Sequence, residues 1–349
     1  MIARSPIDLV INNSFVELPY LAPQARTYLK LEGHSLTGSI KVKAAVSMLE
    51  QLEQEGKLKP GGSVIESSSG NLGLALAMAC AVKRYRFTCV SDPNISAQTA
   101  KMIQAYGAIL IIVDKRDVNG GFLGTRIQKI KELLAQDPKL VWTNQYANRQ
   151  NVQAHVELTA PQILSTLGNI DWLFVGAGTT GTLGGVSQYF RAHSPRTTIV
   201  AVDSVGSVTF GHEPGKRHIP GLGTSHPPAI RSESHFDDLV MVDESDTVET
   251  CHYMARQGLF LGGSSGTVLC AVHQYAPLIP ANAVVAAISP DFGDRYIDTI
   301  YDFSWVQSRF PQLPLESLGL SLPARQLTSR RQNLTFATTA FPTEGAHLA

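Results

Sequence analysis

The sequence predicts an α/β protein with mainly parallel sheets. Short apolar runs of strand length alternate with helical runs along most of the chain, the order that places helices over parallel strands. Residues 171–203 show the unit most clearly. Asp171-Trp-Leu-Phe-Val175 reads as a strand, Gly176-Ala-Gly178-Thr179-Thr180-Gly181-Thr182 as a glycine-rich turn, and the apolar run after it as a helix leading to strand Thr198–Asp203. No internal repeat is evident.

The remaining elements follow from the same periods. Tyr28–Glu32 reads as a strand, Val42–Glu55 as a helix closed by Pro60-Gly61-Gly62, and Val64-Ile65 as a brief strand. Leu72–Val82 is an apolar helix, Phe87–Val90 a strand, and Ala97–Tyr106 a helix ended by Gly107 in the C′ position. Strand Ile109–Val113, helix Gly124–Leu134 and strand Val141-Trp142 precede the glycine-rich unit. Strand Leu239–Val242, helices Thr247–Gln257 and Gly266–Tyr275, strand Val284–Ile288 and helix Asp294–Tyr301 follow it. Residues 322–349 are rich in Ser, Thr, Arg and Gln without periodicity and predict a flexible tail.

Composition narrows the class. The 349 residues suffice for one large or two moderate domains, with 44% hydrophobic and 17% charged residues. A formal net charge of zero gives no electrostatic case for nucleic acid or an anionic membrane. Asp8 and Glu17 and the lack of a long apolar core speak against a secretory signal. The longest apolar run, Leu72–Val82, is far short of the roughly 20 residues that cross a membrane. Cys80, Cys89, Cys251 and Cys270 are widely spaced, with no metal pattern and no obvious disulfide framework. A reduced, cytoplasmic protein is expected.

Four segments carry chemistry, each open to a plainer reading. Gly176–Thr182 suits a phosphate, because turn N–H groups and a helix N-terminus favour a dianion. It also satisfies G-x-G-x-x-G, and Asp203 falls near the ribose-binding position of a dinucleotide fold. Thr37-Gly-Ser39-Ile40-Lys41-Val42-Lys43 delivers Lys41 to a helix start, where the dipole disfavours a cation. Lys41 is either a solvated lysine or a desolvated amine able to form a Schiff base. Glu66-Ser67-Ser68-Ser69-Gly70-Asn71-Leu72-Gly73 suits a substrate carboxylate or a simple N-cap. Gly262-Gly-Ser264-Ser-Gly266 fits the nucleophile elbow, but the hydrolase order fails. After Asp291, Asp294, Asp298 and Asp302 the only histidine is His347. A glycine turn is the plainer reading, and Ser264 could donate to a ring nitrogen. Asn144-Gln145-Tyr146-Ala147-Asn148, followed by Asn151 and His155, reads alone as a polar loop and cap.

Together these segments, in order over residues 12 to about 310, resemble the fold-type II pyridoxal-phosphate enzymes of the cysteine synthase family. The resemblance implies two three-layer α/β domains with mainly parallel sheets and pyridoxal 5′-phosphate in the cleft between them. Residues 1–34 and 148–321 would form the larger domain, and 35–147 a smaller mobile one. Lys41 would be the Schiff-base lysine. Asn71 would bond the cofactor's ring hydroxyl, Gly178, Thr179, Thr180, Gly181 and Thr182 its phosphate, and Ser264 its pyridine nitrogen. Ser68, Ser69, Gly70, Asn71 and Gln145 would hold the substrate carboxylate. Thr180 stands where the family usually has glycine, and Lys43 where it commonly has arginine, which reads as a minor change.

A narrower resemblance rests on Asp92-Pro-Asn-Ile-Ser96, Gly120-Gly-Phe-Leu-Gly-Thr-Arg126, Asn144–Asn148, Gly206–Gly211 and Pro220-Gly-Leu-Gly223. These look like the branch that makes N-(2-amino-2-carboxyethyl)-L-glutamate on the way to 2,3-diaminopropionate for siderophores such as staphyloferrin B. That branch uses O-phospho-L-serine and L-glutamate. It implies a homodimer and a pathway dehydrogenase that cleaves the product. Arg126 is the first candidate cation for phosphate or glutamate, Arg217 a weaker one, and Tyr146 a candidate for orienting the second substrate. The competing assignment is a cysteine synthase using sulfide with phosphoserine or acetylserine. No metal is expected.

Overall fold

The fold, given by a computed structural model that describes residues 3–10, 13–117, 120–324 and 330–332, is built on two sheets. In chain order the strands are β1 (Phe15–Glu17), β2 (Arg26–Leu31), β3 (Ser63–Ser67), β4 (Arg86–Ser91), β5 (Ile109–Ile112), β6 (Leu140–Trp142), β7 (Trp172–Gly176), β8 (Thr198–Ser204), β9 (Asp238–Val242), β10 (Val284–Ser289) and β11 (Arg330–Gln332). The helices are α1 (Lys41–Gln54), α2 (Asn71–Lys83), α3 (Ala97–Ala105), α4 (Leu123–Gln136), α5 (Gln150–Ala154), α6 (Ala160–Leu167), α7 (Gly181–His193), α8 (Glu244–Arg256), α9 (Gly263–Tyr275) and α10 (Phe303–Arg309).

The larger sheet runs β1-β2-β10-β7-β8-β9-β11, and the smaller runs β5-β4-β3-β6. The smaller sheet is wholly parallel. The larger is parallel except where β1 meets β2 and β11 meets β9. Strand residues alternate between two dry faces. In the larger sheet Phe174, Val200, Val240 and Val285 pack on the α9 side, while Leu173, Ile199, Leu239 and Ala286 pack on the side of α6 and α7. In the smaller sheet Val64 and Phe87 meet α1 and α2, and Ile65 and Val90 meet α4 through Ile130. Each sheet is thus the middle of three layers. Helix α9 is buried along its whole length, which its Gly, Ala, Val and Leu content permits.

The structure extends most predicted elements by a residue or two and corrects one of them. Residues 150–167, to which the sequence reading gave no element beyond a polar loop and cap reaching Asn151 and His155, form one helical stretch, with a π-helical turn at His155–Thr159 between α5 and α6. Pro161 opens α6, where its missing N–H costs little. The helix expected over Asp294–Tyr301 is only a 3₁₀ turn at Gly293–Tyr296. Tight winding there turns Arg295 and Tyr296 back toward Asn71 and Asp291. Within the segment read as a flexible tail, Arg330–Gln332 pair with the edge of β9 as β11. Residues 325–329 and 333–349 lie outside the described residues.

No helix among the described residues is long and apolar enough to cross a membrane. All four cysteines are free and buried. Burial pushes the thiols of Cys80, Cys89 and Cys251 up to about 12.

The core argument is testable at Phe174, which is fully buried and meets Tyr275 edge-on at 5.5 Å. Phe174→Ala should lower the unfolding free energy by roughly 3–5 kcal/mol, read from urea denaturation of the cofactor-free chain. A loss below about 1 kcal/mol would show that the layer is not packed there as described.

Candidate active site

The site forms where strands of both sheets end. Strand β7 runs into the glycine-rich turn, β3 into Ser68–Gly70, and β10 into Pro290-Asp291. Open parallel sheets bind ligands at these carboxyl ends. Ser39 bridges to Asp291, and the Ile40 N–H donates to the Pro290 carbonyl, which docks the start of α1 against the end of β10.

The turn before α7 is held open by close backbone approach. A Cβ at Gly178 would lie 2.5 Å from the Gly221 carbonyl oxygen, and one at Gly181 would lie 2.3 Å from Asn151 Oδ1. Thr180 takes a left-handed conformation, φ 68°, at the position where glycine was expected. A non-glycine residue there costs of order 1–3 kcal/mol. Its hydroxyl is buried without a partner. Between Ala177 and Gly184 no backbone N–H has a protein acceptor among the described residues. Asn151 steadies the turn, donating to Thr179 Oγ1 at 3.1 Å and to the Gln145 carbonyl at 2.8 Å. Asp203 is buried, accepts from the Ser204 N–H, and is pushed up to about 7 by burial. It presents no carboxylate to a ribose, and the dinucleotide alternative loses its acidic residue.

One cavity gathers most of the predicted cofactor residues. Lys41, Asn71, Gly178–Thr182 and Ser264 line it, together with Gly221 and Leu222. Burial lowers the Lys41 amine to about 8 against the opposing pull of Asp291. A neutral amine is therefore accessible near neutral pH, as a nucleophilic lysine requires. Ser264 lines the cavity, and a Cβ at Gly221 would strike its Oγ. A second hollow, bordered by Glu157, Pro161 and Tyr189, is more open to solvent and holds none of the predicted site residues.

The predicted substrate loop is tied into the fold. Ser68 Oγ accepts from the N–H groups of Gly70 and Gly73 at 3.2 and 3.0 Å and so caps α2. Ser69 and Gly70 are half-buried. The Gln145 side chain donates to the Ser67 carbonyl at 3.0 Å. Buried Glu66 organises this region, accepting from Ser67 N–H, Trp142, Thr143 and Gln145 N–H. Arg126 is buried, paired to Asp92 at 3.3 Å and bonded to the Tyr146 side chain. Ser68, Ser69, Gly70, Arg126, Gln145 and Tyr146 do not line the cavity that holds Lys41. They form a second polar cluster beyond Asn71. Arg217 donates to the Leu222 carbonyl at 3.0 Å, which steadies a loop of the cavity wall.

Sequence reading missed Asp291. Its carboxylate accepts from Asn71 at 2.7 Å and from Tyr296 at 2.6 Å, while Arg295 donates to Asn71 Oδ1 and the Thr37 carbonyl. Asn71 is thereby fixed by an acid and a cation. Burial raises Asp291 above the usual carboxylate range. It was visible only as one of several acids after residue 290.

Residues 7–291 match the family described as "Pyridoxal-phosphate dependent enzyme". The chain belongs to that family. Its residues fit the cofactor: a lysine amine of lowered basicity and an orphaned threonine hydroxyl in an N–H-lined turn face one cavity. Among characterised proteins, this pyridoxal-phosphate enzyme is 39% identical over 310 residues to the N-(2-amino-2-carboxyethyl)-L-glutamate synthase of Ralstonia nicotianae, which covers 88% of this chain and 92% of that one. Among solved structures it resembles O-ureido-L-serine synthase, at 30% identity and TM-score 0.79 over 92% of this chain and all of the other. It also resembles the O-acetylserine dependent cystathionine beta-synthase from Helicobacter pylori, at 26% identity and TM-score 0.80 over 86% of this chain and 100% of the other.

Two outcomes check the lysine. Lys41→Ala should leave the protein colourless when pyridoxal phosphate is added, while the parent turns yellow. Only the neutral amine attacks an aldehyde, so capture of cofactor by the empty protein should quicken as pH rises through about 8. A rate that keeps climbing well beyond about 8 without levelling off, as for an ordinary lysine, would show that Lys41 is not desolvated as described.

Proposed function

We propose that the chain joins O-phospho-L-serine and L-glutamate into N-(2-amino-2-carboxyethyl)-L-glutamate and phosphate. The carrying observation is the 39% identity to a synthase of that product across 88% of the chain. A buried arginine next to Tyr146 agrees with it, since both the departing phosphate and the incoming glutamate are anions.

In this reading the bound cofactor supplies an electron sink for the bond broken at Cα. Lys41 anchors it, and the freed amine takes the α-proton. Gly178–Thr182 hold its phosphate, Asn71 its ring hydroxyl, and Ser264 its pyridine nitrogen. A neutral hydroxyl there, in place of a carboxylate, leaves the nitrogen largely unprotonated and favours prompt loss of the β-substituent. Ser68, Ser69, Gly70, Asn71 and Gln145 orient the amino acid's carboxylate. Arg126 draws the phosphate leaving group or a glutamate carboxylate, for which a guanidinium is suited by its forked donors. With the α-proton taken, the C–O bond at Cβ breaks and phosphate leaves; Tyr146 would then direct the glutamate so that its amine forms the new C–N bond at Cβ, and Lys41 would return a proton to Cα.

The unit 35–147 moves against 1–34 and 148–321, and its closure keeps water from the reactive carbon. A homodimer in the cytoplasm, and a partner dehydrogenase that cleaves the product toward 2,3-diaminopropionate for a siderophore, complete the reading. Its competitor is sulfide addition, which the resemblance to an O-acetylserine sulfhydrylase keeps in view.

Mass spectrometry of reactions of phosphoserine with either glutamate or sulfide separates the two. The glutamate adduct with phosphate release is expected; cysteine alone would move the chain to the sulfide reading. Arg126→Lys keeps the charge beside Asp92 but loses the fork, and should lower kcat/KM by about tenfold or more. An unchanged value would remove Arg126 from substrate binding.

A further inference from the structure

Lys43 lies two residues beyond Lys41 on α1, roughly on the opposite side of the helix. It is fully buried, and its ammonium meets three acceptors: Glu32 Oε1 at 2.7 Å, Thr159 Oγ1 at 3.2 Å and Gln162 Oε1 at 3.3 Å. Three N–H bonds and three acceptors leave none spare. Burial lowers the Lys43 amine from its ordinary value, and the Glu32 carboxylate, 1% exposed, opposes this by favouring the charged, donor-only form.

From Lys43 the contacts continue to the glycine-rich turn. Thr159 Oγ1 lies 2.9 Å from His155 Nδ1, and His155 Nε2 lies 3.2 Å from Thr182 Oγ1. Thr159 Oγ1 accepts from Lys43 and has one proton to give; given to His155 Nδ1, that proton sets the direction of every later link. Burial, with the positive charges of Lys43 and Lys41, holds the imidazole well below its ordinary value and hence neutral. A neutral imidazole that accepts at Nδ1 carries its proton on Nε2. That proton goes to Thr182 Oγ1, and the Thr182 hydroxyl proton is left to point elsewhere. Thr182 lines the cavity. In the opposite tautomer Thr182 would donate inward to His155 and turn only lone pairs toward an anion.

We propose that the series Lys43–Thr159–His155–Thr182 sets the polarity of the Thr182 hydroxyl, so that its proton is presented to the cofactor phosphate. Lys43, Thr159 and His155 are then positioning residues for a phosphate they do not touch. The proposal rests on assigning Gly178–Thr182 to that phosphate.

The test pairs nitrogen-15 NMR of the histidines with cofactor titrations of the full chain, and assigns the His155 signals by their loss in His155→Gln. Expected is the Nε2–H tautomer before and after cofactor is added, and its loss in the isosteric Thr159→Val. Thr182→Val and Thr159→Val should each weaken pyridoxal phosphate binding by about tenfold and leave binding of phosphate-free pyridoxal unchanged, whereas Thr182→Ser should bind normally. An Nδ1–H tautomer overturns the relay, whatever the affinities. Equal losses for both ligands overturn it as well, by reducing these residues to structural support. If the parent protein binds pyridoxal as tightly as its phosphate, the phosphate assignment itself fails, a result distinct from a wrong tautomer. Should Thr159→Val not fold, Lys43→Arg, which keeps a donor-only cation, is expected to retain the tautomer, and its loss there would overturn the proposal.

Discussion

The site depends on backbone approaching backbone without side chains between. The turn after β7 reaches the 221 loop only because Gly178 has no Cβ to strike the Gly221 carbonyl, and Gly181 leaves room for the Asn151 amide. That approach brings three separate parts of the chain to one cavity: the start of α7, the loop carrying Gly221, and the start of α9 carrying Ser264. Lys41 arrives from a fourth, pinned by the Ile40 bond to Pro290. Because interiors are close-packed, a methyl group inserted at this junction has nowhere to go. The strain at Thr180 is tolerated because its neighbours over-determine the turn.

The layers were legible because the central strands β7, β8, β9 and β10 carry apolar residues on both faces, as buried parallel strands do. Lys41, Asn71, Gly178–Thr182 and Ser264 were legible because each sits at a glycine- or serine-rich boundary between elements. What escaped was of a different kind. Asp291 matters through a contact with Asn71, 220 positions away in sequence, and no local pattern announces that. The helical stretch over 150–167 was hidden by the polar residues at its start, and Pro161 lies within it, directly after the π-helical turn. Lys43 read as a minor change from arginine, yet it is a fully buried cation with three partners. Its meaning lies in Glu32 and Thr159, which reach it only in the folded chain.

Buried ionisable groups recur around the cavity, and several have close partners. Glu32 lies within 3.4 Å of Lys30 and 2.7 Å of Lys43, Arg126 is held by Asp92, and Glu66 collects four donors. Such pairs add little net stability, but removing one partner leaves a desolvated charge that costs about 3–5 kcal/mol. These groups therefore fix geometry more than they stabilise the fold. Nε of the buried Arg126 guanidinium, like that of Arg217, has no partner among the described residues and so retains a donor.

The four cysteines carry a further consequence. Cys80 and Cys89 belong to the core of the smaller sheet, Cys251 and Cys270 to the cores around α8 and α9. With buried thiols and basicities raised by their surroundings, none offers a thiolate while its layer is closed. Alkylation of each one therefore counts the moments when its own layer opens. The protein thus contains two built-in clocks, one for each sheet, that record separately how often the halves of the molecule breathe.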